Sequence, residues 1–388
     1  MAAEILTVAQ CYAADGIAAA AGRPNIGPQA NDYQTFTERW TTRMRRILLL
    51  ALSITVVALA VPAASDAYLV GVADQNAATF VNKYYTQLIA KQPSSHRISR
   101  YILPYDADDG TKANIPYLND FINWYNHAKA DHVQMLVALY HSEQPKKVTK
   151  MPSVATYTAD IKRLMSDKRF TAVSAWQPWN EANRGYIPKV LASPSALQSA
   201  EYYKAMRTTC PKATKKKCTI VALDVLDQDN IRPTLDYIAA FRSDLRRTQG
   251  SGKSRLGPVP TPTLWGLHNY SDTNRFSSSR TRAVLAAVPG DIWLTETGGI
   301  VSFGGSFPNK NGSGDTRAAK ALTFLFKLAG TSKRITRLYI FQFSGATGSA
   351  RFDAGLVDAK GVPRPGYVVV CKELHAAKCS GFKIDTKK

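Results

Sequence analysis

Long apolar runs are nearly absent from this 388-residue chain. The one stretch that qualifies, Ile47 to about Val61, is short of the roughly 20 residues a spanning helix needs. It follows the basic Met44-Arg45-Arg46 and precedes the small residues Ala63, Ala64 and Ala67, the layout of a secretory signal peptide over residues 44–67. No stable membrane insertion is expected once that segment is removed. Residues 1–43 show little periodicity and are read as a leader or a misassigned start, outside the fold. Cysteine is scarce, at 5 residues. Cys11 lies in the leader. The other four form two close pairs, Cys210 with Cys218 and Cys371 with Cys379. In an exported chain such pairs suggest two local disulfides. A metal site is the weaker reading, because the pairs lie far apart and no histidine accompanies the first.

Acids are in short supply: 29 Asp and Glu face 50 Lys and Arg, a net charge of +21. Before Tyr68 the acids Glu4, Asp15, Asp32, Glu38 and Asp66 cancel Arg23, Arg39, Arg43, Arg45 and Arg46, so the excess belongs to the rest of the chain. A basic exported protein is drawn to anionic surfaces such as a cell-wall polymer. No helix-turn-helix, zinc-finger or RNP-type pattern accompanies the charge, so nucleic acid is not an expected partner. The acidic residues Asp224, Asp227 and Asp229 lack calcium-loop spacing, and neither a metal nor a cofactor is expected. No Gly-rich turn follows the first apolar strand, YLVGVADQ, which argues against a doubly wound nucleotide-binding sheet.

What is present is repetition. From Tyr68 an apolar strand, a loop and an amphipathic helix recur eight times. The strands are YLVGVAD, SRYILPYDA, VQMLVALYHS, AVSAWQPWNE, CTIVALDVLD, TLWGLHNYSD, DIWLTETGG and RLYIFQF. Helices carry apolar stripes at helical spacing, such as Leu118, Phe121, Ile122 and Tyr125, or Leu322, Leu325, Phe326 and Ala329. Ser153, Ser193 ahead of Pro194, and Asp315 are the expected caps. Near-continuous apolar strands alternating with such helices predict an α/β fold, a (β/α)₈ TIM barrel over residues 68–388 as a single catalytic domain. The loop VSFGGSFPNKNGSGD after strand seven is placed to overhang the mouth. SGKSRLGPVPTP, before strand six, belongs to the opposite face, as does KATKKKC.

In such a barrel, chemistry sits at the C-terminal strand ends. These ends present Arg100 and Asp106 (strand two), His141 (three), Asn180 and Glu181 (four), Asp224 and Asp227 (five), His268, Asn269 and Tyr270 (six), Glu296 (seven), and Gln342 and Phe343 (eight). Two carboxylates facing each other across a cleft are what glycosidic cleavage requires: one protonates the leaving oxygen while the other attacks or activates water. Glu181 and Glu296 each close an apolar strand, a position that costs free energy without a partner or a function. Trp176, Trp179 and Phe343 are rings able to stack on a sugar, although Trp176 can equally fill the barrel. Trp265 and Trp293 belong to the core. Asp227 is expected to order a loop or bind sugar.

Asn180-Glu181 after strand four, Glu296 after strand seven, His268-x-Tyr270 on strand six and Arg100 in RYILPYD together resemble the retaining glycoside hydrolases of clan A, families 5 and 39 above all. The phrases WNEAN, DVLD, WGLHNY, WLTETGG and RFDAGLVD resemble exported actinobacterial members. The resemblance implies that Glu181 is the general acid and base and Glu296 the nucleophile. It implies that Asn180 holds the sugar 2-hydroxyl, and that Tyr270 and Arg100 keep Glu296 ionised. His141 and His268 would be partners of sugar hydroxyls or of the glutamates. Many clan members carry a tryptophan at the end of strand eight, where this chain has Gln342-Phe343, so the subsite floor differs. The expected protein is a secreted, monomeric retaining hydrolase of a β-linked oligo- or polysaccharide. The alternatives are a non-catalytic carbohydrate-binding barrel and a basic protein that adheres to the cell wall.

Overall fold

The computed structural model describes residues 68–185, 193–247, 256–347, 350–376 and 379; the expected leader (1–43) and signal peptide (44–67) lie outside them. Among the described residues, no helix is long and apolar enough to cross a membrane.

The strands are β1 (Leu69–Ala73), β2 (Ile98–Pro104), β3 (Gln134–Tyr140), β4 (Val173–Gln177), β5 (Thr219–Ile220), β6 (Asp224–Leu226), β7 (Leu264–His268), β8 (Asp291–Thr297), β9 (Ser302–Phe303), β10 (Ile335–Ile340) and β11 (Phe352–Asp353). Nine of them form one sheet in the order β5-β4-β3-β2-β1-β10-β8-β7-β6, with every pairing parallel. The two ends of that order, β5 and β6, are consecutive in the chain. The residues between them hydrogen-bond to both sides: Val221 N–H to the Trp176 carbonyl at 2.9 Å, and Ala222 N–H to the Leu264 carbonyl at 3.0 Å. The sheet therefore closes on itself, and β5 with β6 is the fifth strand of an eight-fold ring whose seventh and eighth strands are β8 and β10.

The helices are α1 (Ala78–Val81), α2 (Lys83–Ile89), α3 (Ile115–Ala130), α4 (Val154–Ser166), α5 (Ala196–Thr214), α6 (Arg232–Leu245), α7 (Tyr270–Asn274), α8 (Ser279–Ala287), α9 (Ser313–Ala329) and α10 (Pro365–Glu373). Apart from the short α1 and α7, one follows each barrel strand. They bury apolar stripes against the sheet, as α4 does with Tyr157, Ile161, Leu164 and Met165. The α3 stripe is rotated from the expected one: Phe121, Trp124, Tyr125 and Ala128 are buried, while Leu118 and Ile122 are only partly so. Trp124 is the larger payload, and its ring packs on Tyr101 and Phe80.

Local chemistry sets the helix ends. Ser153 caps α4 by accepting from the Thr156 N–H. The cap of α5 is Ser195 and not Ser193; it forms a reciprocal capping box with Gln198. At α9 the cap position is Gly312 in a left-handed conformation, and Asp315 lies in the first turn, paired with Arg364. The two cysteine pairs are closed as Cys210–Cys218 and Cys371–Cys379.

The loop after β8 does not overhang freely. Its β9 pairs antiparallel with β11 from the loop after β10. Phe352 of that ribbon packs edge-on against Phe303 and Tyr270.

Candidate active site

The barrel interior is polar where many barrels are aliphatic. Arg100, on β2, crosses it. Its Nη1 donates to Glu296 at 2.9 Å, and its Nη2 donates to Asp224 at 2.8 Å and to Asn180 Oδ1 at 2.6 Å. Gln177 accepts more weakly, at 3.4 Å. Space for this network comes from Gly266 on β7. A Cβ there would lie 2.4 Å from Gln177 Nε2 and 2.7 Å from Asp224 Oδ1.

Asn180 and Glu181 leave β4 in a loop fastened on both sides. Asn180 N–H donates to the Leu139 carbonyl, Ala182 N–H to the Asp224 carbonyl, and the Asn183 side chain both accepts from the Leu226 N–H and donates to the Leu226 carbonyl. Between these ties Glu181 is held at φ +49°, a left-handed conformation that a non-glycine residue adopts at a cost of about 1–3 kcal/mol. Strain of this kind persists only where the surroundings over-determine it.

The strand-four and strand-seven glutamates meet. One carboxylate oxygen of Glu181, one of Glu296 and a ring nitrogen of His268 all lie within 4.8 Å of one another. His268 bridges the group. Its Nδ1 faces Glu181 at 3.2 Å and Glu296 at 3.9 Å, and its Nε2 faces Asp224 at 2.9 Å. The Tyr270 hydroxyl donates to Glu296 at 3.2 Å. Both glutamates are buried, at 1% and 0% exposure.

The charges follow from these neighbours. Burial pulls the His268 imidazole down, but Asp224 and Glu296 push it up further, to about 10, so it is an imidazolium at neutral pH. Burial raises the Asp224 carboxyl, yet His268 and Arg100 more than offset this and hold it below the usual range. Glu181 is also lowered on balance: burial opposes, while Arg184 at 3.2 Å and His268 prevail. Glu296 is raised, because burial outweighs His268 and Arg100 and the charge on Glu181 adds to it, so on balance Arg100 and Tyr270 do not lower this carboxyl as the resemblance implied. The three ligand-type atoms have a spacing that would admit a divalent cation. An ion there would have to strip the proton from His268 and displace the guanidinium from Glu296, so the positive groups already present oppose it.

Arg100, Asn180, Glu181, His268, Tyr270 and Glu296 are thus brought together. His141 lies to one side. Its Nδ1 contacts the Ser142 carbonyl, its ring packs against Tyr140, and burial, with the charge of Arg184, pulls it down to about 4. Trp179 is not at the site: its 2%-exposed ring packs in the core among Tyr105, Tyr140 and Tyr202. Phe343 is likewise fully buried, edge-on to Tyr85, and offers no face to a sugar. Asp106 ties its loop to Ser142 and Gln144, and Asp227 accepts the N–H groups of Ser271 and Asp272 that open α7. Arg184, not among the expected site residues, contacts Glu181 Oε2 and donates to the Tyr140 hydroxyl. Its one sequence signal was its position three residues after Glu181.

No protein-family model and no curated protein matches the chain. Solved structures do. A psychrophilic glycoside hydrolase family 10 endo-β-1,4-xylanase aligns over 78% of this chain and 96% of its own, with a TM-score of 0.53 and 14% identity. A family 10 glycoside hydrolase from Paenibacillus barcinonensis aligns over 83% and 97%, with a TM-score of 0.53 and 15% identity. A family 5, subfamily 18 glycoside hydrolase from Streptomyces cattleya, in complex with GlcNAc, aligns over 82% of each chain, with a TM-score of 0.53 and 10% identity. At these identities the likeness establishes the fold: the chain shares the (β/α)₈ barrel of these glycoside hydrolases.

Proposed function

We propose that the protein is an exported retaining glycoside hydrolase that cleaves a β-linked glycan by double displacement. The observation that carries this reading is the meeting of Glu181 and Glu296, from strands four and seven, within 4.8 Å. Oxygens this close favour the short retaining arrangement, about 5–5.5 Å between carboxyl groups, over the wider inverting one. Glu296 attacks the anomeric carbon as Glu181 gives its proton to the departing oxygen. Glu181, now a carboxylate, then takes a proton from water, whose oxygen attacks the same carbon and releases Glu296. Arg100 and Tyr270 position the nucleophile. Asn180 is oriented by Arg100 through Oδ1, and its buried Nδ2 makes no hydrogen bond among the described residues. A buried donor left open in a fixed direction is suited to a sugar 2-hydroxyl. The two disulfides accord with export to an oxidising compartment, and the basic charge with an anionic wall polymer nearby.

A screen of polysaccharides and aryl β-glycosides, with products followed by anomeric NMR, tests the reading. Turnover with retention is expected, with a loss of at least about a thousandfold in Glu181→Gln on unactivated substrates and in Glu296→Gln on all of them. The burial and ion pairing of both glutamates favour a second reading, a carbohydrate-binding barrel without catalysis. Equal sugar binding by wild type and both variants, with no turnover by any, would establish it.

A further inference from the structure

Asp224 pairs with neither glutamate, yet it touches the groups that do. It opens β6 and is fully buried, in room that Gly266 leaves on β7. Its Oδ2 accepts from Arg100 Nη2 at 2.8 Å and lies 2.9 Å from His268 Nε2. The second contact is an ion pair without an aligned hydrogen bond. From its other nitrogen, Nδ1, the same ring faces Glu181 at 3.2 Å and Glu296 at 3.9 Å. Two further ties run to the neighbours of the glutamates in the chain. Oδ1 of Asp224 accepts from the hydroxyl of Thr295, and its carbonyl accepts from the N–H of Ala182. Stability alone does not call for a carboxylate here, because buried ion pairs roughly break even against apolar packing of the same volume.

We propose that Asp224 is a positioning residue that acts through His268: it holds the ring doubly protonated, with the Nδ1 proton in the gap between Glu181 and Glu296. This rests on the hydrolase reading above. In that reaction the anion is Glu296 before the attack and Glu181 once the glycosyl ester has formed. A donor at 3.2 Å from one and 3.9 Å from the other serves each in turn through a small tilt of the ring, and no proton leaves it. A neutral ring would offer an N–H without the charge, and charge-assisted hydrogen bonds are about twice as strong. The charged groups that face the ring are Glu181, Asp224 and Glu296, with Arg100 beyond the last two and Arg184 beyond the first. Glu181 and Glu296 are each neutral in one half of the cycle. Of the three anions, Asp224 alone keeps its charge throughout, so it is the constant partner of the imidazolium.

The test compares the full chain with Asp224→Asn, which keeps the shape and removes the charge. Nitrogen-15 NMR of the imidazole, assigned with His268→Gln, should show both ring protons held to at least about pH 9 in the wild type, and a titration at least about one unit lower in Asp224→Asn. On aryl β-glycosides kcat should fall at least about tenfold in Asp224→Asn with KM little changed. The fall should appear with poor leaving groups, which make the first half-reaction limiting, and with good ones, which expose the second. In a His268→Gln background the same substitution should cost at least about threefold less, since the ring it acts through is gone. A titration that does not move, a loss confined to one class of leaving group, or an equal cost in both backgrounds would overturn the assignment. If Asp224→Asn does not fold, the wild-type spectrum decides: a ring that loses a proton below about pH 8 ends the proposal, and one that keeps both to about pH 9 sustains it. If the wild type cleaves nothing, the hydrolase reading fails, and the titration decides separately. A downward shift in Asp224→Asn sustains Asp224 as the holder of the charged ring, and an unmoved one ends it.

Discussion

Arg100 brings one guanidinium to Glu296, Asp224, Asn180 and Gln177, at 1% exposure. Burying this much charge contributes little net stability, because desolvation roughly offsets the attraction, while removing one partner strands the others. Arg100→Met should therefore lower unfolding stability by about 3–5 kcal/mol in a denaturant titration, far more than removal of an exposed lysine. A change under about 1 kcal/mol would mean that water or another side chain satisfies the four acceptors. The sequence made Arg100, Glu181, Glu296 and Tyr270 legible because each stands at a strand end whose position the periodicity fixes. Arg184 was not legible. It lies in an irregular loop, and only the left-handed turn at Glu181 and the ties around it bring its side chain back to the carboxylate.

The loop after β4 is the element on which the site depends. Asn183 exchanges two hydrogen bonds with Leu226 and so fixes the loop to β6. Asn183→Ala takes the side-chain acceptor from the Leu226 N–H, while the Leu226 carbonyl keeps the Thr234 hydroxyl, for about 1–3 kcal/mol. Turnover should fall by more than the loss of folded protein accounts for, since Glu181 is then free to relax from its strained conformation. Activity that merely tracks the folded fraction in a melt would show that the tie does not position the carboxylate. Strand five is the counterpart failure of sequence reading. CTIVALDVLD looks continuous, but the chain breaks register between β5 and β6, so that Thr219–Ile220 pair with β4 and Asp224–Leu226 with β7. No apolar pattern records which neighbour a strand residue pairs with. Trp179 and Phe343 were misplaced for a related reason: an aromatic ring near a strand end serves the core or the mouth equally well until its neighbours are known.

At the scale of the molecule, the protonated His268 couples the site to folding. Its folded pKa of about 10 stands above the ordinary 6.5, so its contribution is fully present below pH 6.5 and is lost as pH rises toward 10. Asp224 works in the opposite sense: its folded pKa is depressed, so its contribution is present above the ordinary carboxylate range and lost as pH falls. Stability should accordingly decline on both sides of a mildly acid to neutral range, and His268→Gln should flatten the alkaline side. An alkaline limb of unchanged size in that variant would assign it to other groups. The disulfide Cys210–Cys218 closes the lysine-rich loop between α5 and β5, at the N-terminal ends of the strands and so opposite the glutamates. Replacing both cysteines by serine should cost about 2–3 kcal/mol with turnover of the remaining folded protein unchanged. A fall in turnover at saturating substrate would show that strain at the bottom of the barrel reaches its mouth.

The sequence by itself determined the eight-fold alternation, the strand ends at which polar residues collect and the two glutamates among them, because burial imposes a period that can be read locally. Only the tertiary structure decided that Glu181, Glu296 and His268 share one ion-paired cluster, that Arg184 joins it, and that Trp179 and Phe343 do not. Those outcomes depend on ring closure and side-chain direction, which involve residues up to 196 positions apart, as in the Arg100–Glu296 pair. Distances of that kind leave no periodic trace in the chain.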